Sequence, residues 1–145
     1  MSPERFEIVE HTADVGIRAG GRDLAELFTN AAAGMFAIMA DPEVLEAQGP
    51  PTISIRVSVN AASPDELLVA WLEELLFQSE SRELLFRRVE VEVAGEGRVA
   101  GAAHGTPFAD ARNALRDEIK AVTYHLLEVR EDAAGSWTCQ VIFDV

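Results

Sequence analysis

Carboxylates beside hydrophobic strands are the side chains of this sequence best suited to chemistry. Asp14 closes the stretch His11-Thr12-Ala13-Asp14, which lies between a short apolar strand pattern and a pair of glycines. Asp144 is the penultimate residue of a terminal strand pattern, where alternation puts it on the same face as Ile142. An ionised carboxylate there is costly unless a cation or hydrogen-bond donors compensate its charge. Both aspartates are therefore candidate ligands for a cation.

Each carboxylate also has an ordinary structural explanation. Asp144 carries little cost if it is exposed at a fraying chain end. An aspartate near glycines commonly forms a turn or a cap, which would explain Asp14, and the same holds more strongly for Asp41 before Pro42. The residues alone leave these alternatives open.

Other common catalytic and cofactor sites are not evident in the sequence. The pair Gly20-Gly21 is isolated, and no lysine follows it at the spacing of a nucleotide-binding loop. A serine nucleophile elbow is missing, and one cysteine with three well-separated histidines lacks zinc-ligand spacing. Cys139 alternates with Val141 and Phe143, which predicts a buried core thiol. We therefore expect no organic cofactor and no covalent catalysis.

The charge balance narrows the possible partners. Against 12 basic side chains stand 25 acidic ones, which gives a formal net charge of −13. Such a field repels phosphate backbones and anionic membrane surfaces, so we expect no strong direct binding of nucleic acid or membrane. No apolar run approaches the roughly 20 residues that span a bilayer, and no signal-peptide core follows the amino terminus. The sequence predicts a cytoplasmic protein.

Hydrophobic periodicity predicts the elements that must position these residues. Residues 23–40 have helical spacing after the capping pair Asp23 and Glu26, and Ser63-Pro64 is a strong start signal for a second helix. Period-two alternation over 53–59 and 89–93 predicts half-buried strands. Further strands are predicted at 6–9, 15–18, 98–104, 119–129 and 137–145, with hairpin loops at 95–97 and 132–135.

This order of elements predicts an α+β fold in which an antiparallel or mixed sheet is covered by two main helices. A length of 145 residues is that of one ordinary domain, and no linker divides the chain, so a single domain over 1–145 is expected. The segment 105–118 is predicted to be one long loop, and long loops in compact domains are often functional.

Four segments in order, covering nearly the whole chain, resemble the archease family. They are HTADVG at 11–16, the helix at 23–41, EIKAVTYHLLEV at 118–129 and VIFDV at 141–145. Archeases are small acidic proteins that serve as accessory factors of the GTP-dependent tRNA-splicing RNA ligase and promote its guanylylation and multiple turnover. The resemblance implies an archease-like fold and an activator of an RNA ligase rather than an enzyme.

Carried over residue by residue, the resemblance implies an acidic metal site at Asp14 and Asp144, with Asp41 as a third carboxylate. Such oxygen ligands suit calcium, magnesium or manganese. Lys120 would supply positive charge beside this site, and His11 and Thr12 would hold the turn or form the rim.

The segment that contains Lys120 also includes His125. Strand alternation puts positions 120, 122 and 124 on one face and positions 121, 123 and 125 on the other, so part of the segment must be core. A buried His125 that is satisfied by a neighbour is the alternative to a functional one.

The loop 105–113 departs from the family pattern. Thr106 stands in Gly105-Thr106-Pro107 where a glutamate is more usual, and Asn113 stands where a histidine is common. No role in metal or partner binding is therefore carried over to this loop.

Two other functions remain open at this stage. The first is a chaperone-like adaptor that binds an RNA-modifying enzyme without metal. A metal-dependent hydrolase has the least support, because no general base or nucleophile is evident beside the carboxylates.

Overall fold

The computed structural model describes residues 5–10 and 14–145, which contain eight strands and three α-helices. The strands are β1 (Phe6–Glu10), β2 (Asp14–Gly21), β3 (Ile53–Asn60), β4 (Leu84–Gly95), β5 (Arg98–Pro107), β6 (Ala121–Val122), β7 (Glu128–Glu131) and β8 (Trp137–Asp144). The helices are α1 (Leu24–Met39), α2 (Pro42–Ala47) and α3 (Pro64–Arg82). No helix in the described ranges is long and apolar enough to cross a membrane.

The strands form two antiparallel sheets. In the first sheet, β2 lies between β1 and β8, and the other edge of β8 pairs with the two short strands β6 and β7. In the second sheet, β5 lies between β3 and β4. The strand that comes last in the chain is therefore an internal strand of the first sheet.

Both long helices pack against strands of both sheets. Eleven of the sixteen residues of α1 are buried, and Phe36 meets Phe86 of β4 edge to face with ring centroids 5.5 Å apart. From α3, Trp71 and Leu72 are fully buried in the same core. The α+β fold with antiparallel strands is confirmed, but the helices lie between two sheets instead of covering one.

Sequence signals for the helix starts are confirmed. The side chain of Asp23 accepts a hydrogen bond from the backbone N–H of Glu26 at 2.8 Å and begins α1. Ser63 does the same for Glu66 at 3.2 Å and begins α3. Helix α2 was not predicted, because Asp41-Pro42 indicated only the end of α1. The same pair also begins a new helix, with Pro42 in the first turn.

The prediction of one continuous strand over 119–129 is wrong. Pairing with β8 stops after Val122 and resumes at Glu128. Between them the chain makes a turn in which the N–H of Leu127 donates to the carbonyl of Tyr124 at 3.2 Å. Alternating apolar residues did not reveal this turn, because it contains neither glycine nor proline.

Side-chain hydrogen bonds cross all three strands of the second sheet on its outer face. Ser54 Oγ lies 2.6 Å from His104 Nδ1, and His104 Nε2 lies 2.7 Å from Glu90 Oε1. Arg56 pairs with Glu92 beside them, and this ion pair raises the pKa of Arg56 and lowers that of Glu92. This face is therefore polar, whereas the inner face packs on the helices.

The two adjacent glycines of β2 have different packing constraints. A Cβ atom on Gly21 would lie 2.4 Å from the backbone nitrogen of Leu27, whereas one on Gly20 would have its nearest neighbour, the carbonyl oxygen of Trp137, at 3.5 Å. Gly21 thus permits the start of α1 to lie directly on the strand that carries Asp14.

We predict that Gly21→Ala lowers the free energy of unfolding by about 2 kcal/mol, because the new methyl group overlaps backbone atoms that cannot move independently. Gly20→Ala is the matched control and is expected to change it by no more than about 0.5 kcal/mol. Urea denaturation of both variants measures the difference. Equal stability of the two variants would contradict the close packing at Gly21.

Candidate functional site

Asp14 and Asp144 lie directly opposite each other at one end of the β2–β8 ladder. Their neighbours Val15 and Phe143 are also paired and are buried in the core. Because strand residues alternate between faces, both aspartates lie on the outer face of the first sheet. Strand pairing thus brings together two carboxylates that are 130 positions apart in the chain.

The two carboxylates face each other without a compensating side-chain charge among the described residues. Asp14 is half-buried and Asp144 is exposed, and neither belongs to an ion pair within residues 5–10 and 14–145. Directly opposed residues of an antiparallel pair have Cβ atoms about 4.5–5.5 Å apart, and like charges in such a pair are destabilising. A cation between them would remove this repulsion.

Lys120 is held beside Asp144 through its backbone. Its N–H donates to the carbonyl oxygen of Asp144 at 2.7 Å, and the next residue, Ala121, is the cross-strand partner of Asp144. Ile119 on the other side is fully buried and anchors the segment in the core. The side chain of Lys120 is exposed, so its ammonium group stays accessible at this end of the sheet.

Asp41 occupies a different environment. One carboxylate oxygen accepts from the backbone N–H groups of Glu43 and Val44 at the start of α2, and the other accepts from Arg116 at 3.0 Å. Both oxygens are therefore used in a helix cap and an ion pair. These contacts match the structural explanation that the sequence suggested for an aspartate before proline.

The remaining residues of the predicted site have different positions. His11 and Thr12 lie outside the described residues. His125 is exposed and its backbone N–H donates to Thr123 Oγ1 at 3.3 Å, so the alternative of a buried, satisfied His125 is wrong. Cys139 is buried as predicted, and burial raises the pKa of its thiol from 9.0 to about 12.

Sequence reasoning missed two polar residues that shape this end of the sheet. Thr123 Oγ1 donates to the carbonyl of Ile142 at 2.8 Å. Gln140 donates to the carbonyl of Leu126 at 3.0 Å and accepts from Arg18 at 3.1 Å. No local sequence signal identifies them, because each acts through a contact between distant segments.

The prediction of a loop over 105–118 is wrong at its start, because β5 extends to Pro107. The rest of this segment has a structural role that its irregular sequence did not suggest. It contains two 3₁₀ turns, and Leu115 forms a bridge with Ala40 at the end of α1. The N–H of Arg116 also donates to the carbonyl of Met39 at 2.8 Å. The loop thus ties the end of α1 to the segment that leads into Lys120.

The donor set suits a partly hydrated hard cation. Within residues 5–10 and 14–145, no group of three or more His, Cys, Asp or Glu side chains is placed to hold a metal ion. Mg²⁺ is commonly bound by one or two carboxylates, with water and substrate phosphates at the remaining positions. Asp14 and Asp144 could supply the two carboxylates of such a site, and this donor set would suit magnesium or manganese better than calcium, which takes six to eight oxygens.

The chain is an α+β protein in which two antiparallel sheets enclose two long helices. The family model described as "Archease protein family (MTH1598/TM1083)" matches residues 6–145, and the chain belongs to the archease family. It is 36% identical to protein archease of Methanosarcina mazei, over 98% of this chain and 97% of that protein. Protein archease of Methanothermobacter thermautotrophicus is also 36% identical, over 97% and 98% of the two chains.

Solved structures agree with this assignment. The solution structure of Methanobacterium thermoautotrophicum protein 1598 has a TM-score of 0.77 and 31% identity, covering 97% of this chain and 99% of that one. The crystal structure of an archease from Thermotoga maritima, described as a possible chaperone, has a TM-score of 0.65 and covers 96% of both chains. Its identity of 18% supports the fold alone.

We predict that Asp14→Asn and Asp144→Asn each raise the free energy of unfolding of the metal-free protein by about 0.5 kcal/mol at pH 7 and low salt, because each removes one opposed charge. The double substitution should add little to either single one, since the repulsion is lost only once. Denaturation in EDTA measures these values.

The control for this prediction is Glu131→Gln, which removes an exposed charge that lies opposite Trp137 in the same sheet. Its free energy of unfolding shows how much stability is gained by reducing the net charge of −13 at a position away from the two aspartates. Gains no larger than that of the control would show that Asp14 and Asp144 do not repel each other.

Proposed function

We propose that this protein is an accessory factor that activates a GTP-dependent tRNA-splicing RNA ligase. Membership of the archease family supports a role through a partner rather than through catalysis by the chain itself. The observation that carries the proposal is the opposition of Asp14 and Asp144, with Lys120 bonded to the backbone of Asp144. These are the residues at which the sequence resembles the family's acidic metal site.

A divalent cation at Asp14 and Asp144 would accept oxygen ligands from a nucleotide triphosphate and offset its negative charge. Two carboxylates leave open positions on a hydrated Mg²⁺ or Mn²⁺ ion, which suits a ligand set completed by phosphate oxygens. We therefore expect the metal site to function only in a complex with the ligase and its nucleotide. Asp41, whose oxygens are used by α2 and Arg116, is not included.

Lys120 is proposed to contact a phosphate oxygen. Its backbone is fixed by β8 on one side and by the buried Ile119 on the other, while its side chain is exposed. An exposed ammonium group that contacts a phosphate oxygen can orient a triphosphate without taking part in bond formation. The covalent guanylate would form on the nucleophile of the ligase.

The surface charge suits this partner. A net charge of −13 favours encounter with a basic cleft, such as one that binds RNA, and speeds association at low salt. The same charge disfavours binding of free tRNA. We therefore expect the protein to take part in RNA processing by binding the ligase and not by binding RNA itself.

The second candidate is a chaperone-like adaptor that needs no metal. Its support is the Thermotoga maritima archease, which has the same fold and is described as a possible chaperone. An adaptor would bind its enzyme equally well with or without divalent cations, whereas the proposed activator needs them for stimulation.

We predict that Mn²⁺ binds the isolated protein and that Asp14→Ala and Asp144→Ala each weaken this binding at least about tenfold, since each removes half of the charged ligands. Asp41→Ala should keep the affinity of the wild type within about threefold. Calorimetric titration in phosphate-free buffer measures the three variants. Wild-type affinity in both Asp14 and Asp144 variants would overturn the shared site.

We also predict that substoichiometric amounts of the protein accelerate guanylylation of the purified ligase by GTP and Mn²⁺. Lys120→Ala should lower this stimulation at least about tenfold while changing stability by no more than about 0.5 kcal/mol, because the side chain is exposed. Arg98→Ala, which removes an exposed cation from the second sheet, is the matched control.

The assay follows transfer of labelled GMP to the ligase and is accompanied by thermal melts. Full stimulation by the Lys120 variant would make Lys120 a structural residue. No stimulation by the wild type would favour the adaptor.

A further inference from the structure

Exposed apolar side chains are concentrated on the turn between β6 and β7. Tyr124 is 61% exposed and Leu126 is 56% exposed. Among the described residues, the other large apolar side chain with comparable exposure is Phe77 of α3, at 60%. Two of the three most exposed side chains of this kind thus lie two positions apart on one short turn.

The backbone conformation of this turn is energetically unfavourable for one of its residues, Leu126. Leu126 has φ 53°, in the left-handed region where glycine or asparagine is normally found. A leucine at this position is unfavourable for the backbone, and its exposure means that it gains little from packing. Neither folding nor solubility explains an apolar residue here.

Three hydrogen bonds that involve side chains help to hold the turn in this conformation. Thr123 Oγ1 donates to Ile142 and accepts from the N–H of His125, and the side chain of Gln140 donates to the carbonyl of Leu126. The turn is therefore fixed to the outer face of the first sheet. Gln140, Ile142 and Asp144 alternate along that face, so the turn lies next to the proposed metal site.

Acidic residues lie next to this apolar turn. Asp14 and Asp144 lie on the same face, and Glu128 follows the turn directly. The nearby cations are Lys120, Arg18 and Arg130, of which Arg130 pairs with Glu128 and Arg18 donates to the neutral Gln140. The net charge of −13 repels RNA, an anionic membrane and a second copy of this chain. It complements a protein surface with basic residues around an apolar pocket.

We propose that Tyr124 and Leu126 are the apolar anchors by which this protein docks on its partner enzyme, each entering an apolar pocket with a basic border. This inference rests on the proposed function, because it takes the RNA ligase as the partner. Docking at this turn would place Asp14, Asp144 and Lys120 against the nucleotide site of the ligase. Aromatic and aliphatic anchors surrounded by polar residues are typical of binding hot spots.

The decisive variant is Leu126→Gly, because the structural and functional roles predict opposite results. It relieves the left-handed strain, so the melting temperature should stay level or rise by about 2–4 °C. It also removes an anchor, so the dissociation constant for the purified ligase should increase at least about tenfold. Tyr124→Ala should weaken binding by a similar factor, and Phe77→Ala, the control of equal exposure, should change it by less than about twofold.

Fluorescence anisotropy of the labelled protein with purified ligase measures these constants, and the Mn²⁺ titration of each variant shows whether the metal site is intact. Tight binding by both turn variants would overturn the docking surface while leaving the proposed function in place. Weakened binding with normal Mn²⁺ affinity supports it. A wild type that neither binds nor stimulates the ligase would overturn both proposals.

Discussion

The antiparallel pairing of β2 with β8 is the interaction on which the rest of this structure depends. Its register runs from Asp14 opposite Asp144 to Gly21 opposite Trp137. In this register Ile17 and Val141 both face the core and are fully buried. A slip of one residue would turn these side chains outward, which the core does not permit. Every other strand of the first sheet pairs with either β2 or β8.

The same register that fills the core also forces two like charges together at its end. Ladder ends tolerate such a conflict best, because side chains there retain access to water and few neighbours depend on them. The turn at 123–127 is a second local conflict on the same face, with a leucine in a conformation that suits glycine. Two violations of local preference near one another are typical of surfaces selected for interaction rather than for stability.

The starts of the two long helices could be predicted from the sequence because their signals are local. Asp23 and Ser63 begin the two long helices because each cap depends on residues within one turn. The division of residues 119–129 into two strands depends instead on Thr123 and Gln140 contacting distant parts of the chain. Likewise, a single sheet was expected because local alternation carries no information about which strands pair. The single domain over 1–145 stays a prediction.

For the candidate site, the residues showed that Asp144 was an unusual member of a hydrophobic strand, and the resemblance to archeases suggested its partner. The resemblance implied that Asp14 and Asp144 belong to one site, but their direct opposition was not predictable, since it requires the register of two strands far apart in sequence. For Asp41 the ordinary explanation from the sequence, a cap before proline, matches its contacts with α2. That explanation needed only neighbouring residues, which is why it could be made in advance.

The internal position of β8 has a consequence for how this protein is made. During synthesis β8 leaves the ribosome after all the other described elements, so β2 must wait for its partner while nearly the whole chain is translated. Until then the first sheet has an unpaired internal edge and the helices lack one wall of their core, a state that exposes apolar surface. Because Asp144 lies on β8, the two aspartates come together only when this strand is inserted beside β2. The pair of carboxylates therefore forms no earlier than the closure of the first sheet, although Asp14 is among the first residues to be synthesised.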